Sequence, residues 1–126
     1  MYRETKFRYV VQHEETGYIT SKIFTFDEIE GGCVNEWLDS IPRYLVVSKD
    51  QYTGLKDKKG MDIYEGDVVD FPETKGCSVY LGKGAFMITN PRGNKWLLMQ
   101  NAFNCEVIGN IYENPELLEG GSLNDE

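Results

Sequence analysis

The reading of the fold turns on Tyr44-Leu45-Val46-Val47-Ser48-Lys49-Asp50-Gln51-Tyr52-Thr53-Gly54-Leu55-Lys56-Asp57-Lys58-Lys59-Gly60. Its first five residues are a short apolar run of strand length. From Lys49 onward, glycines, charges and the loss of apolar periodicity mark a connecting segment. Two parts are therefore expected around it. A β-rich N-terminal part with a short helix covers 1–53, a second part covers 54–118, and a flexible acidic tail follows over 119–126.

Upstream, Phe7, Tyr9 and Val11 alternate with Arg8, Val10 and Gln12, the period-two pattern of a half-buried strand. His13-Glu14-Glu15-Thr16-Gly17 reads as a turn into a second β-prone run, Tyr18–Phe24, so the two runs are expected to pair as a hairpin. Thr25-Phe26-Asp27-Glu28 has the form in which hydroxyl and carboxylate satisfy each other's backbone donors at a helix start. After Gly31-Gly32, Val34, Trp37, Leu38 and Ile41 recur at helical spacing, and Pro42 ends the pattern.

Downstream, a Gly66-Asp67 turn leads into a β-branched run closed by Pro72. Further strands are expected around 78–81, 85–89, 95–99 and 106–112, with a turn at Asn90-Pro91-Arg92-Gly93-Asn94. Short strands at this spacing predict a small barrel or a strongly bent sheet. Asn114-Pro115-Glu116 predicts one closing helical turn. The fold class is mainly β with short helices.

A hydrophobic content of 40% with 13% aromatics supports a folded core rather than a disordered chain. Cys33, Cys77 and Cys105 are scattered, and the chain has a single histidine, so no local ligand pair builds a zinc site and the thiols are expected in the core. No run approaches the length of a membrane span, and the charged start is unlike a signal peptide, so a cytoplasmic protein is expected. Net charge is −8; residues 1–60 hold ten acids and nine bases, residues 61–126 eleven acids and four bases. That balance opposes a general coating of nucleic acid, which depends on cations displacing counterions from phosphates.

Two blocks carry a family likeness: Gln51–Gly60 continuing through Ile63-Tyr64-Glu65-Gly66-Asp67-Val68-Val69, and Glu106-Val107-Ile108-Gly109-Asn110-Ile111-Tyr112-Glu113-Asn114-Pro115-Glu116-Leu117-Leu118. With the opening Lys6-Phe7-Arg8, they resemble the YopX family of bacteriophage and prophage proteins. The resemblance implies a phage or prophage origin, usually in Gram-positive hosts, and SH3-type small-barrel elements in the C-terminal half. It carries over no enzymatic activity. Gly54, Gly60, Gly66 and Gly109 in these blocks read as backbone devices.

The remaining clusters have inexpensive structural explanations. Asp62, Glu65, Asp67, Asp70 and Glu73 crowd one stretch, but Asp67 and Asp70 on one strand point to opposite faces, so ordinary surface carboxylates are expected. His13 reads as a solvated loop histidine, and Gly82-Lys83-Gly84 as a hairpin turn lacking phosphate-loop spacing. No catalytic, cofactor or metal-ligating residue is assigned, and the chain is expected not to be an enzyme. Lys56, Lys58 and Lys59 near Tyr52, and Arg92 and Lys95 beside Trp96, join cations to aromatics as single-strand binders do, and they are the candidate nucleic-acid contacts. The expected role is a phage accessory protein in the host cell that binds a host or phage protein or assembles with itself. The alternatives are a nucleic-acid-binding barrel, or an acidic mimic of nucleic acid that occupies a host enzyme.

Overall fold

The computed structural model describes residues 4–118; the expected acidic tail over 119–126 lies outside the described residues. The chain divides into two compact units, Met1–Tyr52 and Thr53–Glu126.

In the first unit, β1 (Lys6–His13) and β2 (Ile19–Thr25) form the expected antiparallel hairpin, and β1 also pairs with β3 (Tyr44–Lys56). Thr25 Oγ1 accepts from Glu28 N–H and the Glu28 carboxylate from Thr25 N–H, which starts α1 (Phe26–Glu30). Helix α2 (Cys33–Asp39) follows. Its Val34, Trp37 and Leu38 pack on Tyr9 and Phe24 of the sheet. The rings of Tyr9 and Phe24 meet edge to face at 5.7 Å.

The connecting segment expected from Lys49 is instead strand as far as Lys56. Long-range pairing outweighs local composition here: β1 pairs with β3 through Gln51, Tyr52 and Thr53 are buried, and Lys49 lies over the Tyr9 ring at 5.7 Å. Gly54 allows the strand to continue through a backbone angle of φ +85°. Arg8, read from its alternation as a polar-face residue, is buried. The register sets it opposite Asp50, whose carboxylate it meets at 2.8 Å through Nη2 and 3.2 Å through Nε; Ser48 Oγ adds a 2.6 Å bond to Asp50.

In the second unit, β4 (Asp62–Tyr64) follows β3 in the sheet order. Strands β5 (Asp67–Asp70), β6 (Cys77–Leu81), β7 (Phe86–Thr89), β8 (Lys95–Leu97) and β9 (Glu106–Asn110) make a five-stranded antiparallel sheet, ordered β8-β7-β6-β5-β9. The molecule is thus mainly β with short helices. The expected SH3-like barrel is not closed: the five-stranded sheet is open, with β8 and β9 at its edges. Its core gathers Ile63, Val69, Val79, Ile88 and Leu98 with Cys77 and Cys105. Both thiols are buried as expected, whereas Cys33 is half-buried against the first unit's core.

Candidate functional site

The two family-like blocks meet at Asp57. This residue is buried, and its carboxylate accepts three backbone N–H bonds: Lys59 at 2.8 Å and Met61 at 2.9 Å on Oδ1, and Val107 of β9 at 2.8 Å on Oδ2. Lys58 N–H donates to Cys105 O at 3.0 Å, and Lys59 Nζ reaches Glu106 at 2.9 Å. Burial pushes the Asp57 carboxyl up, but the bonds from Val107, Met61 and Lys59, with the Lys59 charge, outweigh it and hold the pKa below the ordinary value. A turn formed by one block is thereby clasped to a strand formed by the other.

The rest of the second block also consolidates backbone. Asn110 Oδ1 accepts from Tyr112 and Glu113 N–H, at 3.0 and 2.8 Å, and Asn114 Oδ1 accepts from Asn110 N–H at 3.3 Å. Gly109 leaves room for this return: a Cβ there would lie 2.4 Å from Asn114 Oδ1 and 2.9 Å from Leu117 Cδ1.

The acid-rich stretch behaves similarly, with one correction. Asp67 is not an ordinary surface carboxylate: it is 2% exposed and accepts Tyr64 N–H at 2.8 Å, closing the turn before β5. Asp70 accepts Gly76 N–H at 2.9 Å, and Asp62 pairs with Lys56. Among the described residues, no three His, Cys, Asp or Glu side chains converge as metal ligands. His13 Nδ1 accepts from Glu15 and Thr16 N–H at 3.2 Å each, so the histidine anchors its turn.

The six candidate nucleic-acid contacts fall on two hairpins. Lys56, Lys58 and Lys59 occupy the end of β3 and the turn after it, where Lys56 and Lys59 are already paired with acids. Arg92 lies in the exposed turn between β7 and β8, and Lys95 is exposed at the start of β8. Trp96 turns the other way, toward Phe71, with ring centroids 6.4 Å apart and planes inclined at 46°.

Those two rings line a groove of ≈ 160 Å³ together with Glu73, Thr74, Asn101 and Asn104. Beside it in the chain, Leu97, Met99 and Phe103 are 38%, 72% and 74% exposed, while Leu98 and Ala102 between them anchor the segment in the core. Sequence patterning missed this surface. Its one available signal was that 97–103 is more apolar than a loop of that length needs to be.

Comparison with known proteins bears on the fold and the family. The family model described as YopX protein matches residues 3–119. The crystal structure of protein EF1440 from Enterococcus faecalis superposes with a TM-score of 0.52 at 23% identity, covering 91% of this chain and 98% of that one. No curated protein matches the chain.

Proposed function

The chain belongs to the YopX family, and from that premise we propose that it is a non-enzymatic accessory protein of a phage or prophage whose work is to bind another protein inside the host bacterium. The observation that carries this is the exposure of two large apolar side chains, Met99 and Phe103, in the chain segment that contributes Asn101 to an aromatic groove. Large apolar groups clustered at a surface mark interaction sites, whereas isolated ones are ordinary. The family-like carboxylates Asp57 and Asp67 contribute shape rather than reagents, since each holds backbone donors, as does the neighbouring Asp70. For the second unit we also infer a small SH3-type barrel; the bulge between Val68 and Val69 supports strong local bending of its sheet.

The test is co-purification from phage-infected host cells with the wild type and with Met99→Glu/Phe103→Glu. A partner retained by the wild type and lost by the variant, with unchanged circular dichroism, is expected. Equal retention by both overturns the assignment of this surface.

Self-assembly is the second reading, favoured by one specific observation. A bulge between Val10 and Val11 of β1 leaves Val47 without a cross-strand partner, and Leu45, Val46 and Val47 are exposed in succession on β3, at 58%, 38% and 44%. Exposed apolar strands pair with further copies. Light scattering at micromolar concentration decides it: a dimer that Val47→Lys dissociates supports this reading, and a monomer excludes it.

A further inference from the structure

Resting on the reading of the chain as a protein-binding module, we propose that the groove between Phe71 and Trp96 receives a cationic side chain, lysine or arginine, presented by the partner. The two rings form an angled aromatic wall, and aromatic faces attract a cation through their negative π-density, most strongly at tryptophan. Glu73 is the charged residue of the lining, and it is an acid; Lys75 and Lys95 adjoin the groove in sequence but do not line it. Asn101 lines the groove, and with one Nδ2–H donated to Leu97 O at 2.7 Å its amide oxygen is the acceptor that an ammonium or guanidinium would use.

Size and field agree with this chemistry. The ≈ 160 Å³ groove is smaller than the roughly 300–1,000 Å³ of sites for whole small molecules, which suits one side-chain head group. The unit that holds the groove, residues 53–126, carries twelve acids against seven bases, a net negative balance that favours a cation over a phosphate. Met99 and Phe103 flank Asn101 in the chain and supply apolar contact for the peptide on either side of the cation. The geometry that sequence patterning assigned to nucleic acid at Trp96 therefore fits a basic peptide better.

The test is an NMR titration of the isotope-labelled full chain with an acetylated Gly/Ser peptide bearing one central arginine, the same peptide with lysine, the same with glutamine, and oligo-dT. The arginine and lysine peptides are expected to move the Trp96 indole and the Asn101 and Asn104 side-chain amide signals, and the glutamine peptide to leave them in place. Glu73→Gln, at an exposed position that leaves the core untouched, should weaken binding roughly three- to fivefold, and added salt should weaken it further. Shifts with the glutamine peptide equal to those with arginine overturn the proposal, as do shifts with oligo-dT alone or no shifts at all. If the infected-cell partner is still captured through Met99 and Phe103, such a result removes the cation pocket and leaves protein binding standing; if capture fails too, both fall.

Discussion

Asp57 is the residue whose loss should cost the fold most for the smallest chemical change. Its carboxylate receives three backbone donors that Asp57→Ala would strip of their partner. A hydrogen bond to a charged acceptor is worth about 1.5–3 kcal/mol, and a buried donor left unpaired costs about 1–3 kcal/mol. Lys59 and Met61 sit in an exposed turn where water can replace the carboxylate, so their share falls at the low end, while the part-buried Val107 donor bears the fuller cost. The expected loss is about 4 kcal/mol for Asp57→Ala. Asp57→Asn keeps the oxygen facing Lys59 and Met61 but sets an NH2 against Val107 N–H, for about 2 kcal/mol. At roughly 4 °C per kcal/mol for a chain of this length, Tm should fall by about 15 °C and about 8 °C.

The pH dependence sharpens the test. A carboxyl held below its ordinary value of 3.8 stabilises the fold above that pH, and the contribution fades as pH falls through the folded value. Wild type and Asp57→Asn should therefore differ fully at neutral pH and converge in strong acid. Urea unfolding followed by tryptophan fluorescence across that range measures it. A loss under about 1 kcal/mol for Asp57→Ala, or a gap to Asp57→Asn that does not narrow with acid, refutes the clasp.

Other perturbations separate the remaining elements. Asp50→Ala strands the buried Arg8 guanidinium and should cost about 3 kcal/mol, part of which Arg8→Met/Asp50→Leu recovers; urea midpoints decide between this and a dispensable pair. Gly76→Ala should be worse than Gly109→Ala, at about 3 against 1–2 kcal/mol, because the first adds a positive φ of 70° and a Cβ 2.5 Å from a backbone carbonyl, while the second displaces a side chain. Burial pushes the Cys105 thiol up to about 11 and raises Cys77, so at pH 8 Cys105 is only about one-thousandth thiolate; a thiol reagent should label these two after unfolding and not before.

Local signals were legible where local chemistry decides. The capping box at Thr25 and Glu28, the β1–β2 hairpin, the Val34, Trp37 and Leu38 stripe of α2 and the turns at 82–84 and 90–94 form as their residues dictate, while Ile41 falls beyond the end of α2 at Asp39. Gly54, Gly60 and Gly66 adopt positive φ, as backbone devices should. What could not be read depends on partners distant in the chain. Residues 49–56 look like a linker until β1 pairs with residues 49–51 and β4 takes its place beside β3, and Arg8 looks solvated until the register brings Asp50 across from it.

The candidate site was hidden for a related reason. In sequence Trp96 sits with Arg92 and Lys95, yet neighbours along a strand point to opposite faces, so Lys95 and Leu97 are exposed while Trp96 turns inward to a phenylalanine 25 positions earlier. Asp57 gave no warning because charge on a Lys-rich turn resembles any solvated loop; only the fold shows Val107 N–H waiting for it.

Hydrogen exchange on the protein bound to its captured partner decides whether the Phe71–Trp96 surface is where that partner docks. Protection confined to residues 71–74 and 96–104 is the expected footprint. Protection over residues 44–48 instead, or at the 56–60 and 90–95 hairpins with the groove unprotected, would contradict it.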